Sequence, residues 1–362
     1  MRIDLNEDIE TEFLKFKDDL RYFPLGNDYV HIYKGFKTKF DKEIHPEVKV
    51  KILEIEKEGY YNDHGVDHIK MVIQRVSWIL GDLNVTFKKE EEDSKFYISP
   101  YELFILLVAI QLHDTGHLIA SRRDHARKGA ELLTKFDSGK ILSSGERQTI
   151  SNIAKAHGGK DDPIGKLPSE DDISHKTIRP QFLAALLRLG DELAEDQTRA
   201  SNFLLENKSI VPTSVIYHLY SASLQSVRVN GNELKLKFYI SDEVLVKKFK
   251  VVTKNGEEEK FLLDEIYDRT YKTFTESIYC SRFLPEKCRI NSVKVDVNLF
   301  NKNDDQNFKT LAYELRDSVY PGSNRESIFS KNESLFEGGK MIDGQNVLEL
   351  IMKNREGKNE PV

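Results

Sequence analysis

Apolar residues recur every three or four positions through the middle of this chain and every second position further on, so the pattern predicts helices first and strands later. From Glu47 to about Asn202 the spacing is helical. Val66, Ile69, Ile73, Val76 and Leu80 make one stripe, and Tyr101 to Leu112 is apolar nearly all round, as expected of a helix at the centre of a bundle. Between these two, Lys88 to Lys95 contains Glu90, Glu91, Glu92 and Asp93 and reads as a solvated loop. Ser143 and Glu146 have capping-box spacing ahead of Ile150, Ile153 and Ala154, and Pro180 opens a segment, Phe182 to Glu195, rich in strong helix formers.

After Asn202 alternation takes over. Val227 and Val229, then Asn230-Gly231, then Leu234, Leu236, Phe238 and Ile240 carry a hairpin signature, and Val293, Val295, Val297 and Leu299 form a second alternating run. Phe261, Ile266, Tyr267, Tyr271, Phe274 and Ile278 suit an amphipathic helix able to cover one face of such a sheet. The expected fold class is mainly α, a helical bundle with a smaller C-terminal α+β extension. Four parts are expected: an aromatic-rich helical segment packed on the core (1–46), the helical domain (47–203), the α+β extension (204–300) and a polar tail or partner-binding segment (301–362).

Composition narrows the setting. The 362 residues, 39% hydrophobic and 31% charged, leave room for about two domains. With 54 basic and 60 acidic side chains the net charge is −6, so there is no global footprint for gripping nucleic acid, and any phosphate contact must be local. Only Cys280 and Cys288 are present, which excludes a disulfide scaffold or a cysteine zinc cluster and suits a reducing interior. The longest apolar run, Leu103 to Ile110, is too short for a membrane span, and the acidic N-terminus has no signal-peptide core. A soluble cytoplasmic protein with no membrane partner is expected.

Seven of the ten histidines (His64, His68, His113, His117, His125, His157, His175) fall in one stretch, most of them inside apolar stripes. His113-Asp114 ends the most apolar helix, and Asp191 lies on the face made by Ala184, Leu187 and Ala194. Burying a carboxylate among alkyl groups costs several kcal/mol unless a cation or a full set of donors accompanies it. One or two divalent ions would resolve both anomalies, and imidazole with carboxylate suits Mn, Fe, Ni, Co or Zn, with Mg also admissible. His64 and His68 have the spacing of a zincin, but Gly65 stands where its general-base Glu would be. Arg122 and Lys160 are candidate phosphate contacts near these histidines, and His175 reads as surface.

His68, then His113-Asp114, then Asp191, on successive helices, resembles the H…HD…D order of the HD superfamily of metal-dependent phosphohydrolases. His113 to His117 (HDTGH) is similar to the HDIGH form of its nucleoside-triphosphate hydrolases. Asp124 to Leu133 (DHARKGAELL) and Ala156 to Gly159 (AHGG) are similar to the extra histidine motifs of its two-metal members, and Leu186 to Arg199 (LLRLGDELAEDQTR) to its closing motif. The resemblance covers about Tyr60 to Arg199. Beyond it, the C-terminal region resembles a prokaryotic subset with an extended HD domain, found in biological-conflict systems, which implies a role in antiviral defence.

The resemblance implies an HD-type helical bundle in which His68, His113, Asp114 and Asp191 hold one ion, and His125 and His157 hold a second with Asp114 bridging. It implies hydrolysis of a phosphoester or phosphoanhydride of a nucleotide or nucleotide second messenger by metal-bound hydroxide, with Asp114, His117 and His64 as the catalytic groups. His117 stands where many members carry Lys. Two other readings start from the same residues: an HD-type di-iron oxygenase, and a non-catalytic nucleotide-sensing or effector subunit of a defence system that meets a protein partner through the C-terminal region.

Overall fold

The computed structural model describes residues 8–56, 65–81, 98–121, 124–199, 210–253, 256–316 and 325–351. The described residues within Met1–Glu54, Asp63–Ala194 and Tyr279–Arg289 form one compact unit, and those within Ile55–Asn62, Glu195–Ile278 and Ile290–Val362 form another. The fold is mainly α with an α+β extension.

The first unit contains α1 (Ile9–Leu14), α2 (Tyr29–Lys39), most of α3 (His45–Glu56), α4 (Val66–Leu80), α5 (Pro100–Leu112), α6 (His125–Phe136), α7 (Ser144–Lys155) and α8 (Pro180–Glu192). Helix α5 is its axis. Every residue from Pro100 to Leu112 is buried, because α1, α2, α4, α7 and α8 surround it, which is why its apolar character has no polar face. Ser99 and Glu102 close a capping box at its start, and Ser143 and Glu146 do the same for α7.

The N-terminal aromatics pack on this axis, with the rings of Phe13 and Tyr29 6.4 Å and 4.8 Å from that of Phe104. Tyr29 and Tyr101 both donate to Glu146 Oε1, at 2.5 and 3.0 Å. Arg179, just before α8, forks onto the buried Glu102 carboxylate through Nε (2.8 Å) and Nη2 (3.0 Å), tying α8 to α5. A short hairpin, β1 (Asp171–Ile173) with β2 (Lys176–Ile178), interrupts the run of helices between α7 and α8, and its turn residues Ser174 and His175 have φ of 48° and 65°. Three-residue strands are too short to leave an alternation in the sequence.

The second unit contains α9 (Val215–Ser223), β3 (Leu224–Asn230), β4 (Glu233–Ser241), β5 (Lys248–Thr253), β6 (Gly256–Phe261), most of α10 (Leu262–Ser281), β7 (Ser292–Phe300) and β8 (Asn307–Arg316). Its main sheet has the order β3-β4-β7-β8, antiparallel at both outer pairs and parallel between β4 and β7. A parallel pair needs a crossover, and α10 lies in it. The tight loop is Gly231-Asn232, with Gly231 at φ 58°, one residue later than the predicted dipeptide.

Leu234, Leu236, Phe238 and Ile240 are buried beside Val293, Val295, Val297 and Leu299, while Lys235, Lys237, Lys294 and Asp296 face outward. Residues 307–316, read from the sequence as the start of a polar tail, form β8, the fourth strand. Leu311, Tyr313 and Leu315 alternate into the core, and the exposed but apolar Ala312 between the first two masks that alternation. Ile328, Phe329, Leu335, Val347 and Ile351 are buried as well, Phe329 packing on Tyr267 and Tyr313. Among the described residues no helix is long and apolar enough to cross a membrane.

Candidate metal centre

Five segments of the bundle converge where α5 ends. His113 caps α5, Asp114 follows it, and Thr115–Leu118 turns the chain away as one short 3₁₀ turn, Thr115 Oγ1 donating back to Leu112 O at 2.8 Å. His68 comes from the first turn of α4, Asp191 from the last turn of α8, His125 opens α6, and His157 lies two residues beyond α7.

The two oxygens of Asp114 face different partners. Oδ2 lies 3.5 Å from His68 Nε2 and 3.4 Å from His113 Nε2; Asp191 Oδ1 sits 3.2 and 3.6 Å from the same nitrogens, which are 3.4 Å apart. Oδ1 faces His125 Nε2 at 3.4 Å and His157 Nε2 at 3.7 Å, and these two nitrogens are 2.9 Å apart. His68, His113, Asp114 and His157 are buried.

The donor chemistry fits an ion. His113 Nδ1 lies 2.7 Å from Ile110 O, and His157 Nδ1 lies 2.5 Å from Ala154 O. A carbonyl only accepts, so each ring carries its proton on Nδ1 and turns the Nε2 lone pair inward. Imidazole lone pairs and carboxylates crowded at these distances repel unless a cation lies among them. Four ligands about 2.1 Å from a common centre in tetrahedral geometry stand about 3.4 Å apart, close to the spacing of the first set. The buried His/Asp group can hold a metal ion.

Titration behaviour points the same way. Burial opposes protonation of His113, but Asp114 and Asp191 outweigh it and raise its pKa well above the ordinary histidine value. Burial works against the Asp191 carboxylate too, yet His113 and His68 hold its pKa far below the usual range. His157 is pushed down to about 3 by burial and by the neighbouring His113 and His125. The pocket therefore demands positive charge, and it leaves at least one imidazole neutral as a ligand.

Two backbone approaches set this geometry. A Cβ on Gly116 would lie 1.9 Å from His125 O and 2.6 Å from Gly129 N, so α6 rests directly on the turn after Asp114. A Cβ on Gly190 would lie 2.5 Å from Val76 Cγ2, so α8 and α4 meet beside Asp191 and His68. Arg75 of α4 donates from Nε to Leu193 O at 2.9 Å, fastening the end of α8 over its own helix.

His117, expected in a catalytic role, is buried with its ring parallel to that of His125, centroids 4.2 Å apart, and together with Asp114 these two could also hold an ion. Lys160 is exposed three residues after His157, and His175 is exposed at the tip of the small hairpin. His64 and Arg122 lie outside the described residues. Sequence reasoning passed over Gly116, Gly129, Gly190, Arg75 and Arg188. The legible signal was position alone: Gly116 and Gly190 adjoin the HD pair and Asp191, and Arg188 precedes Asp191 by one turn.

The family model described as HD-CE matches residues 58–267, more than half of the chain. The chain belongs to the HD-CE family. The HD-CE match runs from before α4 to the first turns of α10, so it takes in the histidine-bearing helices and the first strands of the second unit. No curated protein and no solved structure matches the chain. An HD-type domain with a buried His/Asp group able to hold metal is what the match and the geometry jointly establish.

Proposed function

We propose that this HD-CE protein is a metal-dependent phosphohydrolase acting on a phosphoester or phosphoanhydride of a nucleotide or nucleotide second messenger. The observation that carries the reading is Asp114, whose two oxygens face two separate imidazole sets as a bridging carboxylate requires. In this reading His68, His113, Asp114 and Asp191 hold one divalent ion, and Asp114, His125 and His157 a second. When bound, such a pair supplies an acidified water and neutralises charge on the attacked phosphoryl group.

The chain's own residues do the rest. Asp114 offers one oxygen to each donor set, and Asp191 anchors α8 to the first of them. His117, buried beside His125, is the group we assign to hand a proton to the leaving oxygen. Arg122 and Lys160 are the groups we assign to the substrate phosphates, and His64 is a further catalytic candidate. The buried thiols Cys280 and Cys288 suit a reducing compartment.

The test is a nucleotide and second-messenger panel assayed with Mn²⁺, Ni²⁺, Co²⁺ and Mg²⁺ in turn, on the native chain and on Asp114→Ala. Metal-dependent phosphate or nucleoside release that vanishes in the variant is expected. No release with any metal, or release that survives Asp114→Ala, overturns the reading; oxygen uptake by the iron-loaded protein in its place identifies an oxygenase.

A further inference from the structure

His157 stands just beyond the end of α7, its ring tied back to Ala154 O through Nδ1 at 2.5 Å. Helix α7 ends at Lys155, and the N–H groups of His157 and Gly158 reach back only at 3.3 and 3.4 Å to Ala154 O and Lys155 O. The carbonyls flanking these residues take a partner from another helix. Arg188, one turn before Asp191 on α8, donates from Nη1 to Gly159 O at 3.1 Å and to Ala156 O at 3.4 Å. Its guanidinium lies over the ring of Tyr279, 5.1 Å from the centroid.

Tyr279 continues the fastening. Its hydroxyl accepts from Ile164 N–H at 3.0 Å and donates to Asp162 Oδ1 at 3.0 Å, while Arg282 Nη1 reaches the same oxygen at 3.8 Å. Residues 156–164 are thus held at the His157 end by Arg188 and at the far end by Tyr279, all within the first unit.

We infer that Arg188 is a positioning residue that locks the His157 turn to the helix carrying Asp191, so that the His125/His157 side of the centre is kept at ligand distance. The inference rests on the two-ion reading above. It follows from chain mechanics: past the end of α7 the backbone of the His157 turn has only two long hydrogen bonds to its own helix, and ligand placement must be kept to within a few tenths of an ångström for full affinity. Both carbonyl bonds leave from Nη1 while the planar guanidinium lies over the Tyr279 ring, and an ammonium has no plane to stack there.

The experiment is calorimetric titration of the full chain with Mn²⁺, with metal content by elemental analysis and the EPR signature of a coupled Mn²⁺ pair. Native protein is expected to take two ions and His157→Ala one. Arg188→Ala should keep the first ion at native affinity while the second weakens about tenfold to a hundredfold and the pair signal fades. Arg188→Lys and Tyr279→Phe, gentler on folding, should weaken the second ion severalfold. Native affinity for both ions in all three variants overturns the positioning role alone; a native chain that binds only one ion overturns the two-ion reading and this inference with it.

Discussion

Replacing Gly116 by Ala tests the packing that builds the centre. The added carbon would fall 1.9 Å from His125 O and 2.6 Å from Gly129 N, both backbone atoms that cannot rotate away. A carbon and a carbonyl oxygen approach no closer than about 3.3 Å, so the start of α6 must retreat by about 1.4 Å. His125 Nε2, now 3.4 Å from Asp114 Oδ1 and 2.9 Å from His157 Nε2, moves with it. That is several times the roughly 0.2 Å tolerance of a metal–ligand distance. Overpacking costs about 1–3 kcal/mol, toward the upper end where backbone must shift, which for a unit of this size lowers Tm by roughly 4–12 °C.

Scanning calorimetry of the full chain should show that loss, and Mn²⁺ titration should show the ion at His125 weakened while the set on His68, His113 and Asp191 stays intact. Gly129→Ala, whose Cβ would meet Gly116 N at 2.9 Å, should give a smaller version of both effects. Native Tm with native uptake of metal in Gly116→Ala would refute the argument.

Asp114→Asn keeps the shape but removes the charge shared by both donor sets, so metal analysis should find both ions depleted, whereas His68→Ala should deplete only the first; uptake of two ions by Asp114→Asn would contradict a bridging role. Glu102→Ala removes a carboxylate that is 4% exposed and leaves Arg179 without its fork, a loss of about 3 kcal/mol measurable by urea denaturation. A change under 1 kcal/mol would show that the pair contributes little.

Without added metal, protonated His113, with its raised pKa, stabilises the fold fully below about pH 6.5, and that contribution is lost as pH climbs through the folded value. The lowered pKa of Asp191 stabilises above about pH 3.8 and is lost as pH falls through its folded value. The rise in Tm produced by added Mn²⁺ should therefore grow from pH 6 to pH 8.5, as the ion takes over from the proton; a rise that shrinks with pH would show the opposite linkage.

Periodicity and short-range chemistry were enough for many of the elements. The all-apolar α5, the capping box at Ser143, the Pro180 start, the hairpin and the helix after Phe261 rest on interactions between residues a few positions apart, which a sequence displays directly. The identities of His68, His113, Asp114 and Asp191 were legible for a related reason, since a histidine or carboxylate in an apolar stripe needs a cause wherever it ends up. Long-range contact decided the rest. Strand β8 looked like tail because only pairing with β7 gives its alternation a face. The two directions of Asp114, the rests of α6 on Gly116 and α8 on Val76, and the grip of Arg188 on the carbonyls beside His157 depend on distances between backbones remote in the chain, and no local rule of spacing encodes those.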